Sequence, residues 1–178
     1  MKNYIYYMPI LLFALVSCNN YEKEVNTLDE LSLKLDTAEV NMLAIDSIKI
    51  NNKAERVKEN MKILETKYKD KLKKSQSFLV DRYRRISKSV RRFNRAYVNT
   101  KAEIKNSKSQ ISNLKEDLDN KAIKDKKKID EYLADEVKAV TEVYEYTFEV
   151  NDWYGRTIKV FDELNPKVTF LIDSLETH

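Results

Sequence analysis

The two residue types best suited to nucleophilic, general-base or metal-ligand chemistry occur once each in this chain, as Cys18 and His178. His178 is the last residue, where a helix end frays, so no histidine-based general base or metal cluster is expected. Gly155 is the sole glycine, which excludes a glycine-rich phosphate loop and a dinucleotide fingerprint. No cofactor and no metal are expected. Asp130, Glu131, Asp135 and Glu136 are clustered, but they follow the lysine-rich stretch 124–128 and read as a solvated helix face. A di-metal helical site would want inward Glu and Glu-x-x-His pairs, which the sequence lacks. An enzyme is the least expected class.

The strongest positive feature is a run of cations. With Tyr83 and Val90 at position a of a seven-residue frame, Arg84 and Arg91 fall at b, Arg85 and Arg92 at c, and Lys88 and Arg95 at f. All six then point away from the apolar seam on one outer face. Arginine predominates here, whereas lysine dominates the rest of the chain, and the guanidinium fork suits phosphate and carboxylate. One reading is a solvated face, or one paired with acidic residues of neighbouring helices. The other is an anion-binding patch for a phosphorylated glycolipid, an acidic polysaccharide or an acidic protein. Nucleic acid would fit the electrostatics, but export from the cytoplasm, argued next, speaks against it. A second feature is the aromatic group Tyr144, Tyr146, Phe148, Trp153, Tyr154 and Phe161. Aromatics at helical spacing usually form core. Tyr146 and Trp153 lie off the main stripe and share a face at i, i+7, where an exposed pair would contact a protein or a sugar.

Cys18 ends the run Leu15-Val16-Ser17-Cys18, after an apolar stretch from Ile5 to Val16 preceded by Lys2. The stretch is too short to span a bilayer and has the length of a signal-peptide apolar region. The pattern resembles bacterial lipoprotein signal peptides, in which a lipobox cysteine is acylated and becomes the first residue. That resemblance implies a leader at residues 1–17, a lipid on Cys18 and anchoring in the cell envelope. Asn19, rather than Asp, at the following position favours the outer membrane, and Glu22 and Glu24 weakly resemble a surface-export tag. An ordinary secretory signal with a chance cysteine, or an uncleaved anchor, is the competing reading. With no second cysteine, no intramolecular disulfide competes for Cys18.

These features must be positioned by helices. Residues 18–154 contain neither glycine nor proline, so tight hairpins have few of the residues they need. Beyond the lipidated cysteine, residues 19–27 read as a short polar tether. The bundle domain is expected over residues 28–178. Leu28, Leu31, Leu35, Ala38, Met42 and Ile45 alternate in threes and fours, the spacing of a heptad seam. Thr27 is the expected cap, with Glu30 at the capping-box position. The stripe resumes at Ala54, Val57, Met61, Leu64, Tyr68 and Leu72, with a kink expected near Asn51-Asn52 and a second interruption at Asp36-Thr37. The second helix carries a seam of Leu79, Tyr83, Ile86, Val90, Phe93, Tyr97, Thr100, Ile104, Ser107, Ile111, Leu114 and Leu118. It is bounded by turns at Ser75-Gln76-Ser77 and Asp119-Asn120.

A third helix follows from Ile123 through Ile129, Leu133, Val137, Val140, Tyr144 and Phe148 to Phe161 and Leu164. Asn165-Pro166 reads as the start of a short terminal helix. Val143–Val150 alternates like a strand, so a hairpin with Thr157–Phe161 competes with the helix there. Charge is distributed as 3 Lys/Arg against 7 Asp/Glu in residues 18–52, 19 against 6 in 53–108, and 10 against 16 in 109–178. Antiparallel neighbours would use that order to attract one another.

The expected fold is all-α: an elongated antiparallel three-helix, coiled-coil-like bundle with a short C-terminal helix. A two-helix hairpin stable only as a homo-oligomer is the competing architecture. The expected role is a non-catalytic, membrane-anchored envelope module that binds a protein or an anionic polymer through its helix faces. It is similar in outline to small helical envelope lipoproteins. Two other roles stay open: a periplasmic chaperone-like helical hairpin, and a surface lipoprotein that binds a host factor.

Overall fold

The structure, a computed structural model, describes residues 21–177; the expected leader, Cys18, Asn19 and His178 lie outside the described residues. Among the described residues four helices form: α1 (Glu22–Leu43), α2 (Ser47–Lys67), α3 (Lys74–Asp119) and α4 (Lys126–Glu176), with a 3-10 turn at Lys69–Lys71. No strand occurs among the described residues. α1 and α2 lie end to end as one bent arm, α3 returns along both, and α4 runs back beside α3, α1 and α2. This is the expected up-down-up all-α bundle. At 1.5 Å per residue the 46 residues of α3 span about 70 Å.

Burial of the apolar stripes holds the arms together. Leu28, Leu31, Leu35, Ala38, Met42 and Ile45 are all buried, as their spacing predicts, and Ile50, Ala54, Val57, Met61 and Leu64 continue the stripe on α2. Each fully buried aliphatic side chain contributes about 1.5–3 kcal/mol. On α3 the expected seam is buried from Tyr83 to Leu118 except at Tyr97, where Ala96 takes the core position; likewise Val80 replaces Leu79. A helix of 3.6 residues per turn drifts against a strict seven-residue frame, so such one-residue exchanges are expected over 46 residues.

The boundaries move where side chains find better partners. Helix α1 begins at Glu22, so Glu22–Thr27 belongs to the bundle and not to a tether. Tyr21 is buried, its hydroxyl donating to the Ile123 carbonyl at 3.4 Å, and Thr27 donates to the Lys23 carbonyl inside the helix instead of capping it. The bend falls at Ala44–Asp46 and not at Asn51, because the Asp46 carboxylate caps α2 by accepting from the Lys49 N–H at 2.8 Å. Asn51 sits inside α2; its amide donates to the Ser47 carbonyl and its oxygen accepts from Asn94 on α3 at 2.7 Å. Asp36 and Thr37 stay helical, with Thr37 donating to Leu33. The turn expected at Ser75-Gln76-Ser77 lies earlier, at Tyr68–Lys73. Gln76 instead reaches back to accept from the Lys73 N–H at 2.8 Å.

Two further differences concern α4. The competing hairpin over 143–161 does not form; the segment is helix throughout. The separate short terminal helix is also absent as such, because α4 continues through Pro166 to Glu176. Pro166 forfeits one helical hydrogen bond, a cost of about 3 kcal/mol. Burial of Val168, Leu171 and Ile172 beyond it offsets that cost. Asn165 is not a cap. Its oxygen accepts from the Tyr83 hydroxyl at 2.5 Å and from the Asn60 amide at 3.3 Å, and Asn60 also donates to Tyr83 at 3.0 Å. That trio ties α2, α3 and α4 together, and burial pushes the Tyr83 phenol up from its ordinary value.

Candidate functional site

Helix α3 carries the basic face. Arg84, Arg85, Lys88, Arg91, Arg92 and Arg95 are all exposed, because none falls on the buried stripe Tyr83, Ile86, Val90, Phe93. Arg84 pairs with Glu65 at 3.0 Å and with Asp81 at 3.2 Å. Among the described residues, no carboxylate lies within the 4.0 Å limit of an ion pair to the other five. The six also part company around the helix. Arg85 faces the groove towards α4, whereas Lys88 and Arg91 line a groove towards α2 beside Asn51 and Glu55.

Apart from Arg84–Glu65 and Arg82–Glu163, the charge attraction expected between neighbouring arms is realised by lysines. Lys108 meets Asp36 at 2.7 Å and Glu39 at 2.6 Å, Lys115 meets Asp29, and Lys126 meets Glu24. Lys53 reaches Asp162 at 2.5 Å. These contacts set the Glu24 carboxyl below its ordinary value, through the hydrogen bond from Lys126 against an opposing desolvation. Hydrogen bonds donated to Asp36 and Glu39 raise Lys108, and those donated to Glu24 and Asp130 raise Lys126.

Folding therefore converts the acidic–basic–acidic order into an end-to-end separation. One half of the bundle is α2, the first part of α3 and the last part of α4, residues 47–98 and 150–177; it holds 20 Lys/Arg and 10 Asp/Glu. The other half, residues 21–46 and 99–149, holds 12 Lys/Arg and 19 Asp/Glu. The basic half is the one far from the start of α1.

Trp153 and Tyr146 do not form one exposed patch. Trp153 is half-buried against the core, and its indole N–H donates to Ser89 Oγ at 2.8 Å, with Thr157 Oγ1 3.0 Å from the same oxygen. It lines a groove of about 250 Å³ between α3 and α4, together with Arg82, Arg85, Ser89, Arg156 and Thr157. Tyr146, 41% exposed, lines a separate groove further along the same seam, beside Asn99 and Glu103. The sequence singled out Trp153 and Arg85 but gave no reason to join them. Arg82, Ser89, Arg156 and Thr157 had no local signal at all; only the antiparallel register of α3 and α4 brings them together.

The acidic cluster also divides. Asp130 and Glu131 form solvated ion pairs with Lys126 and Lys127. Glu136 does not sit on that face: it lies seven residues from both Ile129 and Val143 on the core stripe, and its Oε2 is buried without a hydrogen-bond partner. Desolvation, with the nearby Asp135 charge, raises its carboxyl above the ordinary value. Among the described residues, no group of three or more His, Cys, Asp or Glu is placed to hold a metal ion. No helix among them is long and apolar enough to cross a membrane. Comparison of the chain with protein-family models, with curated proteins and with solved structures gives no match.

Proposed function

We propose that this protein is a non-catalytic, lipid-anchored module of the cell envelope that binds an anionic polymer through the basic half of its helical bundle. The carrying observation is that Arg85, Lys88, Arg91, Arg92 and Arg95 stay exposed and without a carboxylate partner while lysines elsewhere take up the acidic groups of α1 and α4. Unpaired guanidinium groups keep their capacity for bidentate bonds to carboxylate or phosphate. The lipobox-like run ending at Cys18 supplies the anchor, with Asn19 directing the protein to an outer membrane. Tyr21 is already packed into the bundle, so a lipid on Cys18 holds the acidic end close to the bilayer. The arginine face then points into the space beyond it, several tens of ångströms out, since α3 runs back over 46 residues. The partner in this reading belongs to the compartment and not to the anchoring lipid surface.

Both parts are open to test in cells that make the lipidated chain. Metabolic labelling with an alkyne fatty acid should tag the wild type and not Cys18→Ser; equal labelling of both would remove the anchor. A photo-crosslinking residue at Lys88 should capture an anionic envelope polymer, or a protein that carries one. Neutralising Arg85, Arg91, Arg92 and Arg95 should abolish the capture. Crosslinks confined to this chain's own helices would contradict the binding role.

A further inference from the structure

Trp153 and Arg85 lie 68 residues apart in the sequence but line one groove. Its apolar wall is the indole together with Ile86 and Val160, and its rim carries the guanidinium groups of Arg82, Arg85 and Arg156. The indole is fixed before any ligand arrives, because its N–H is held by Ser89 and Ser89 in turn by Thr157. A pre-set aromatic surface loses little freedom on binding. A rigid apolar plate beside hydroxyls and cations matches one ligand chemistry well: a sugar ring, whose C–H face packs on an aromatic ring while its charged substituent meets a guanidinium fork.

The ion pairs of the groove locate the substituent. Arg156 is answered by Asp152, and Arg82 approaches Glu163 at 3.8 Å, although that carboxylate lies nearer Lys167, at 3.3 Å. Among the described residues Arg85 has no carboxylate within 4.0 Å. Its planar fork matches a carboxylate in a bidentate pair. The volume of about 250 Å³ is below that of pockets for drug-sized ligands and fits a single ring.

We propose that the α3/α4 groove is a subsite for one carboxylated sugar unit of an acidic polysaccharide, with the ring on Trp153 and the carboxylate on Arg85. The assignment rests on the anion-binding role given to the basic half. It adds a definite point of contact to what would otherwise be a diffuse electrostatic surface. Lys88, Arg91, Arg92 and Arg95 then serve neighbouring charges of the same polymer.

Trp153 is the sole tryptophan, so its fluorescence reports on this groove alone. The full chain would be titrated with oligogalacturonate, with its fully methyl-esterified form, and with polyphosphate, each followed by tryptophan emission and by calorimetry. Oligogalacturonate should shift the emission and bind at least tenfold more tightly than the neutral ester. Arg85→Gln and Trp153→Phe should each weaken it about tenfold or more, with Arg95→Gln causing a much smaller loss. Arg85 is exposed, so its variant reports even if Trp153→Phe fails to fold. If oligogalacturonate and polyphosphate bind equally and neither Arg85→Gln nor a silent Trp153 signal distinguishes them, the subsite is wrong while the polyanion surface stands. If neither polyanion binds, the anion-binding role itself falls and the subsite with it.

Discussion

The two halves of the bundle both join their arms with ion pairs, but only one of them leaves a row of cations over. Towards the start of α1, charges are spent inward: Glu24, Asp29, Asp36 and Glu39 on one arm meet Lys126, Lys115 and Lys108 on the others. Towards the other end, the ion pairs Lys53–Asp162, Lys67–Glu176, Arg82–Glu163 and Arg84–Glu65 also cross between arms, but neutral groups share the work: Asn60, Tyr83 and Asn165, and Ser89, Trp153 and Thr157. The arginines of α3 are left facing out. Exposed ion pairs are worth little for stability, so the first pattern mainly fixes register and orientation. The second adds a neutral network to the ion pairs of Lys53, Lys67, Arg82 and Arg84, and leaves Arg85, Lys88, Arg91, Arg92 and Arg95 without a carboxylate partner among the described residues.

If the neutral trio holds the basic half, removing its central hydroxyl should have the largest effect. Tyr83→Phe strands the buried amide of Asn60 and the oxygen of Asn165, and should cost about 2 kcal/mol in chemical denaturation. A loss near zero would mean that the trio is incidental. Next is Glu136, whose Oε2 is buried on the core stripe without a hydrogen-bond partner. Glu136→Met should stabilise by about 1 kcal/mol at neutral pH. The sign follows from its raised folded pKa: the penalty operates when the group is ionised and disappears as pH falls through that value. The gain in melting temperature should therefore shrink in acid.

A comparable effect is expected at the turn between α3 and α4. Lys121 has φ 52°, and its N–H and that of Ala122 close the helix end on Leu118 and Asp117. That is the position glycine favours, so Lys121→Gly should add up to about 1 kcal/mol in thermal unfolding.

Smaller still is the Glu24–Lys126 pair. Its carboxyl pKa is depressed, so its contribution is present above the ordinary value of 4.5 and is lost as pH falls through the lower folded value. Lys126 and Lys108 are raised, so theirs is present below 10.5 and lost as pH rises through the raised values. Glu24→Gln should flatten the acid limb of the stability–pH curve; an unchanged limb would assign acid sensitivity to other carboxylates.

Much of this architecture was legible in the sequence because one rule dominates it. An unbroken three-four spacing from Leu28 to Ile45 and from Tyr83 to Leu118 leaves a helix no other way to bury its apolar side chains. Boundaries were less legible. Caps depend on which polar residue wins a local contest, and Asp46 outcompeted Asn51 while Gln76 acted within the first turn of α3 and not as part of a turn. Asn165-Pro166 misled for another reason: a local start signal was overridden by long-range partners, Tyr83 and Asn60, that no local window contains. The outward direction of the arginines followed from the heptad frame. Their freedom from partners did not, since it depends on where the acidic groups of α1 and α4 come to rest. The groove around Trp153 was invisible for the same reason.

The central claim is that anion binding belongs to the free arginines of the basic half and not to the net charge of the whole molecule. It is tested most directly by the salt dependence of polygalacturonate binding for three forms of the chain: wild type, Arg85/Arg91/Arg92/Arg95→Gln, and Lys108/Lys115→Gln. Single exposed arginine substitutions should change stability by no more than about 0.5 kcal/mol, so folding will not confuse the outcome. Binding that releases counterions weakens with salt in proportion to the contacts made. The arginine variant should lose most of both the affinity and the salt slope, while the lysine variant keeps them. Equal losses in the two variants, or a wild type that does not bind, would contradict the account.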